Sequence, residues 1–239
     1  MSGPLTDDHL PDATVRYAEH EDGVIDLHLP DEPAGQMVVL VHGGFWKAEY
    51  DRRPTRQMAA ALAAEGHVVA TPEYRRVGAG GGWPATGDDV RRAAERLPDL
   101  LASIDVPVGP MTLVGHSAGG QLALWLATTA LEISRVVALA PVCDLREAIR
   151  LDLGGGAAQA FLEGADIDDA DPMVLLEARP DAAVRMVHGR DDEDVPVSLS
   201  RGFVARHPWA ELVEVDGGHF EVIEPGSPAW PVVLRSLAG

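Results

Sequence analysis

Met111-Thr112-Leu113-Val114-Gly115-His116-Ser117-Ala118-Gly119-Gly120-Gln121-Leu122-Ala123-Leu124-Trp125-Leu126 is the stretch that decides how this chain folds. An apolar run of strand character leads into Gly-His-Ser-Ala-Gly-Gly, and an apolar run of helical character leaves it. Strand, sharp turn and helix with a serine at the apex is the nucleophile-elbow pattern. A turn that tight forces the serine backbone into strained dihedrals, and the positions two before and two after it tolerate little or no side chain. Gly115 and Gly119 stand at those positions. The hydroxyl is then exposed at a helix N-terminus, where free amide groups and the macrodipole favour a developing negative charge.

A serine hydroxyl is a poor nucleophile at neutral pH unless a base takes its proton and an acid orients that base. Among nine histidines, His219 lies in Asp216-Gly217-Gly218-His219-Phe220, between the last strand and the last helix of the pattern. A glycine-containing loop there reaches the serine turn, so His219 is the expected base. His116 neighbours Ser117 and is expected to point away, since successive side chains diverge. His42 and His188 each precede a glycine and are expected to orient loops. His9, His20, His28, His67 and His207 read as solvated or structural.

The acid is sought in Val187-His188-Gly189-Arg190-Asp191-Asp192-Glu193-Asp194-Val195-Pro196. Asp191, Asp192 and Asp194 are all candidates, and Asp194 also reads as a helix cap. Any of them gives the order serine, acid, histidine, which is that of the α/β-hydrolase fold. Upstream, His42-Gly43-Gly44-Phe45-Trp46 follows an apolar strand and resembles an HGGG-type turn. The backbone N–H groups of Gly44, Phe45 and Ala118 are therefore the expected oxyanion donors.

Outward from these motifs, strands and helices alternate. Strands are expected at Thr14–Tyr17, Val24–Leu29, Gln36–Val41, His67–Thr71, Arg135–Ala140, Val184–Val187 and Glu211–Val215. Helices are expected at Arg53–Glu65, Asp88–Ser103, Val197–His207 and Pro231–Leu237. That rhythm predicts an α/β fold, a mostly parallel central sheet with helices on both faces, whose site lies beyond the carboxyl ends of the strands. Residues 1–239 read as one domain. Residues 145–175 break the rhythm and are expected to form at most a small lid insertion.

Composition agrees with that reading. The chain has 239 residues, 46% of them hydrophobic, and a formal net charge of −19. The acidic balance argues against nucleic acid and against an anionic membrane surface as partners. Met1–Asp8 shows no basic region followed by an apolar stretch, and no run approaches a membrane span, so a cytoplasmic location is expected. Cys143 is the only cysteine and reads as a small buried filler. Gly78-Ala79-Gly80-Gly81-Gly82-Trp83 ends in tryptophan where a dinucleotide fingerprint needs glycine. No spacing suggests a metal site, and no cofactor is expected.

The ordered set His42-Gly43-Gly44-Phe45-Trp46, Gly115-His116-Ser117-Ala118-Gly119-Gly120, His188-Gly189-x-x-Asp192-x-x-Val195-Pro196 and Gly218-His219-Phe220 resembles the α/β-hydrolase superfamily over about residues 36–224. Within it, the chain is similar to the small carboxylesterases and the arylformamidases (kynurenine formamidases). The resemblance selects Asp192 as the acid. It implies hydrolysis of a small carboxylic ester or an aryl formamide through an acyl-enzyme, without metal or organic cofactor. Trp46, Tyr74, Trp83 and Phe220 are then the expected pocket aromatics. A peptidase-like hydrolase is the alternative within the same chemistry. A ligand-binding protein that has abandoned catalysis is the alternative outside it.

Overall fold

The computed structural model describes residues 9–32, 36–107 and 109–238. Met1–Asp8, on which the reading of a missing leader rested, lie outside the described residues. The sheet follows from side-chain alternation. Strand β3 (Met37–Val41) is apolar and buried throughout. Met37, Val39 and Val41 join one core, while Val38 and Leu40 join another on the opposite face. A strand covered on both sides reads as a continuous apolar run, the signature of a parallel sheet.

Eight described strands form that sheet, in the order β1-β2-β4-β3-β5-β6-β7-β8. They are β1 (Ala13–Arg16), β2 (Val24–His28), β3, β4 (Val68–Pro72), β5 (Met111–His116), β6 (Ile133–Leu139), β7 (Ala183–Gly189) and β8 (Glu211–Val215). β1 and β2 form an antiparallel hairpin at one edge, and β2 also pairs antiparallel with β4. All pairings from β4 through β8 are parallel. This is the α/β-hydrolase fold that the motif order predicts.

One face is covered by α1 (Arg56–Ala64) through Met58 and Leu62, and by α8 (Trp230–Leu237) through Trp230 and Val233. The other face carries α2 (Ala85–Ala102), α3 (Ala118–Leu126) and α7 (Ser198–Arg206). Observed ends lie within about two residues of the expected ones for most elements. Helix α2 starts three residues before the expected Asp88, at Ala85. The Thr86 hydroxyl fastens that extra turn, donating to the Arg75 carbonyl (2.7 Å) and accepting from the Gly82 amide (3.1 Å). None of the described helices is long and apolar enough to cross a membrane.

Residues 145–175 contain three short helices, α4 (Leu145–Arg150), α5 (Ala157–Leu162) and α6 (Pro172–Leu175). Asp144 caps α4 by accepting from the Glu147 amide at 2.8 Å. Phe161 is fully buried and stacks on Trp46, with ring centroids 4.3 Å apart. Gln121 of α3 donates to the Ala170 carbonyl at 2.8 Å, and Lys47 to the Gly154 carbonyl at 2.7 Å. These contacts hold the segment against α3 and the His42–Trp46 turn.

Backbone packs against backbone closely where β5 turns into α3. A Cβ built on Gly115 would lie 2.2 Å from the Gly119 carbonyl oxygen, and one on Gly119 would lie 2.2 Å from that of Val41. Backbone cannot retreat as a flexible side chain can. Gly115→Ala is therefore expected to lower stability by roughly 1–3 kcal/mol or more. Thermal unfolding of the purified variant checks this, and an unchanged midpoint would contradict the packing.

Candidate active site

Ser117 is the hinge between β5 and α3, at φ 56° and ψ −119°. A serine at positive φ is strained by about 1–3 kcal/mol, and strain of this kind persists only where the surroundings over-determine it. Here they do. The Ser117 amide donates to the Leu139 carbonyl at 2.9 Å, and its carbonyl accepts from the amides of Gly120 (2.9 Å) and Val142 (3.1 Å). The hydroxyl faces a cavity of about 200 Å³ whose walls also include Gly44, Phe45, His116, His219 and Phe220. A wider depression of about 640 Å³ near the amino ends of β5 and β6 holds no histidine, cysteine or cationic side chain.

His219 follows β8 and opens onto the same cavity as Ser117. Its Nδ1 donates to Asp192 Oδ2 at 2.6 Å, which leaves Nε2 as the nitrogen available to the cavity. Asp192 is buried, and burial works against its ionisation. Hydrogen bonds from His188 and His219 and from the Val195 amide outweigh that and hold the carboxyl well below the usual carboxylate range. Its other oxygen accepts from the amides of Asp194 (3.0 Å) and Val195 (2.8 Å). Asp191 and Asp194 do not take this position, and Asp194 does not cap α7, whose N-cap is Val197.

Two further histidines support this pair. His188 Nε2 donates to the Val195 carbonyl at 2.8 Å and lies 3.2 Å from Asp192 Oδ2, while Ser200 holds its Nδ1 at 2.7 Å. It thus ties the Asp192 loop to β7. His116 departs from expectation. It lines the cavity, and its Nε2 donates to the His219 backbone carbonyl at 2.9 Å. Divergence of successive side chains presumes extended backbone, and Ser117 at positive φ is not extended. Burial pushes the His116 imidazole down to about 3, with the neighbouring His219 adding to the effect, so His116 stays neutral.

The expected oxyanion turn is unusual in its backbone. Gly44, Phe45 and Trp46 lie at φ 104°, 50° and 56° in succession. A Cβ on Gly44 would meet the Tyr50 Cβ at 2.3 Å, so the position demands glycine on two counts. A Cβ on Gly43 would lie 3.1 Å from the Ser117 Cβ, which puts this turn directly beside the serine. Among the described residues the amides of Gly44, Phe45 and Ala118 donate to no loop carbonyl.

Sequence reasoning missed what holds that turn. Glu73, at the end of β4, is only 2% exposed. His42 Nε2 donates to its Oε1 at 2.9 Å, and the Arg52 amide to its Oε2 at 3.0 Å. Arg52 also bonds the buried Asp26 at 2.9 Å, and Arg56 bonds the same carboxylate at 2.8 Å. Arg76 bridges Asp22 (2.8 Å) and the Tyr50 carbonyl (2.9 Å). One buried carboxylate therefore joins the His42 turn to the Tyr50–Thr55 wall of the cavity. Burial alone would raise Glu73, but His42, the Arg52 amide and Arg76 hold it down at about 2. A charged residue just past an apolar strand was the only available signal.

Three of the four expected pocket aromatics pack beneath the loops instead. Trp46 is buried against Phe161, and its Nε1 donates to Gln121 Oε1 at 3.2 Å. Tyr74 is buried and stacked on His42, and its hydroxyl donates to the His42 carbonyl at 2.8 Å. Trp83 sits edge-on to Trp125 at 4.9 Å. Each rigid ring fills a gap in the framework, and the two that are fully buried find a partner for their polar atom. Phe220 does line the cavity, and Phe45 and Tyr50 join it.

Ligating atoms of Asp192, Asp194 and His219 lie within 4.8 Å of one another, a grouping that sequence spacing does not reveal. The 2.6 Å Nδ1–Oδ2 contact is a hydrogen bond and leaves no room for an ion between those two atoms.

A largely parallel sheet with a strained serine turn at the carboxyl end of a central strand defines the α/β-hydrolase fold. The chain belongs to the BD-FAE family, whose model matches residues 25–149. That span takes in the His42 turn, Glu73 and Ser117 but ends before Asp192 and His219. In structure the chain is similar to a bifunctional GH43-CE protein of Bacteroides eggerthii, with 20% identity, a TM-score of 0.77 and coverage of 94% of this chain. It spans only 37% of that longer protein. Esterase B of Lactobacillus rhamnosis HN001 is 19% identical over 97% of this chain and 86% of its own, with a TM-score of 0.78. Esterase 2 of Thermogutta terrifontis, phosphoramylated by tabun, is 19% identical over 93% and 90%, with a TM-score of 0.74. At these identities the likeness is one of fold. No curated protein matches the chain.

Two expectations follow for Glu73. Glu73→Gln should lower kcat/KM by about 10–100-fold, because a turn shifted by an ångström loses much of its effect, and steady-state kinetics reads this. The variant should also change acid sensitivity. Glu73 is ionised in the folded chain down to about pH 2, against an ordinary 4.5, so its stabilisation is present above pH 4.5 and lost as pH falls toward 2. His116, depressed to about 3 from 6.5, removes stability as pH falls from 6.5 toward 3. Wild type should therefore lose stability progressively below pH 6.5. In Glu73→Gln the part of that loss below pH 4.5 should shrink, as followed by denaturant unfolding.

Proposed function

We propose that this protein is a serine hydrolase that cleaves a small carboxylic ester through an acyl-enzyme. The observation that carries this reading is the convergence of Ser117 and His219 on one cavity, with Asp192 bonded behind His219 at 2.6 Å. In the proposed reaction His219 Nε2 takes the Ser117 proton as Oγ attacks the ester carbonyl. The amides of Gly44, Phe45 and Ala118 receive the oxyanion, each such donor contributing about 3 kcal/mol in the transition state. Asp192 holds the imidazolium that forms. Collapse breaks the bond to the alcohol, which leaves with the proton from His219. Water then attacks the acyl-serine with His219 again as base, releasing the acid and restoring Ser117.

The esterase B and esterase 2 likenesses support an ester over an amide, since both are esterases on this fold. An aryl formamide is the second reading. The rings of Phe45, Tyr50 and Phe220 at the cavity favour it, because the chemistry at the carbonyl is the same and an aryl group would meet aromatic walls.

A burst assay with p-nitrophenyl acetate and N-formylkynurenine side by side tests both. A stoichiometric burst on the ester with slow turnover of the formamide is the expected result. Ser117→Ala should abolish the burst and lower kcat by about 10⁴–10⁶-fold, and Asp192→Asn should lower it by about 10⁴-fold. Serine-independent turnover would contradict the mechanism. Efficient turnover of the formamide would put the second reading first.

A further inference from the structure

The cavity is unequal in charge. Among the described residues its walls carry two carboxylates, Asp51 and Asp194, and no lysine or arginine. Among the described residues, the cations of the adjoining loops have partners of their own. Arg53 pairs with Asp51 at 2.6 Å, Arg52 with Asp26 at 2.9 Å, Arg76 with Asp22 at 2.8 Å, and Lys47 bonds the Gly154 carbonyl at 2.7 Å. Asp194 differs from Asp51 because no cationic side chain pairs with it among the described residues. Its carboxylate lies within 4.8 Å of a ligating atom of Asp192 and of His219. The rest of the wall is largely apolar, with the exposed rings of Tyr50 and Phe220 at its edge.

A second anion entering this space meets an unneutralised, solvent-exposed carboxylate within a few ångströms, close enough for repulsion that salt then screens. The chain as a whole adds a net charge of −19, which repels anions at longer range. A cation meets attraction from Asp194 and aromatic faces suited to it. We infer that the site selects by charge, accepting esters whose acyl and alcohol parts are neutral or cationic and turning away those that carry a carboxylate, with Asp194 setting the preference. This rests on the ester reading above.

Two matched substrate pairs test it. 4-Nitrophenyl butyrate and the 4-nitrophenyl half-ester of succinate differ by a carboxylate at the far end of the acyl chain, and the half-ester's own loss of 4-nitrophenolate by anhydride closure is subtracted using Ser117→Ala. Butyrylthiocholine and its carbon isostere 3,3-dimethylbutyl thiobutyrate differ by a positive charge on the leaving group. Wild type should prefer butyrate to succinate by at least about tenfold in kcat/KM, and the choline ester to its isostere. Asp194→Asn should reduce the butyrate-to-succinate ratio several-fold, and Asp194→Lys should reduce it further. Taking ratios cancels any change in the catalytic groups or in the fraction of folded enzyme, since both esters share them. In wild type the ratio should also fall with added salt. Equal rates on butyrate and succinate, or a ratio untouched by both variants, would overturn the inference. No serine-dependent hydrolysis of any of the four would overturn the ester reading itself, and this inference with it.

Discussion

Gly119, in the first turn of α3, lies against the carbonyls of Val41 and His42, so close that a Cβ there would sit 2.2 and 2.4 Å from them. That backbone-on-backbone contact joins the end of β3 to the start of α3. It brings together two features the chemistry needs side by side, the serine at positive φ and the turn of left-handed residues at Gly44–Trp46. Relaxing the contact would move the Ser117 hydroxyl relative to the amides of Gly44 and Phe45. The strain in the serine turn is held by the sheet, since the Ser117 amide is fixed by β6 through Leu139. The parallel architecture is therefore the support that keeps an unfavourable local geometry in place.

The second support is electrostatic. Glu73, Asp26 and Asp192 are buried carboxylates, and each is held ionised by specific donors. Asp192 aligns His219, while Glu73 aligns the oxyanion turn and the cavity wall through His42 and Arg52. Buried charges of this kind contribute little net stability compared with an apolar core, and they cost several kcal/mol when one partner is removed. Their consequence here is geometric, because Asp192 fixes the His219 ring while Glu73 and Asp26, through His42 and Arg52, fix the loops around the cavity.

Much of this was legible in the sequence. The strand β8 is observed at Glu211–Val215 as expected, and the mostly parallel sheet with helices on both faces follows from the alternation of apolar runs with helical periodicity, whereas its strand order does not. Ser117, His219 and the Gly44–Phe45 turn, which the motifs single out, lie around one cavity with Asp192 bonded behind His219, because each motif marks a turn that glycine and turn residues announce. The misreadings have one physical origin. Nearness in sequence to a site loop does not set side-chain direction, so Trp46, Tyr74 and Trp83 were expected in the pocket and instead fill the framework beneath it. Strand alternation likewise ends at His116, so carrying it through Ser117, at positive φ, points the His116 side chain the wrong way. Glu73 was invisible because its partners, His42 and Arg52, are far away along the chain and no period links them.

The central claim is that the Ser117 hydroxyl is the nucleophile of a base-assisted acyl transfer. Treatment of the intact chain with a 4-nitrophenyl alkylphosphonate, followed by peptide mapping by mass spectrometry, tests it most directly, since the phosphonate traps whichever side chain attacks. One adduct per chain, on the peptide that carries Ser117, with release of one equivalent of 4-nitrophenol, is the predicted result. An adduct on another residue, or none while ester hydrolysis continues, would contradict it.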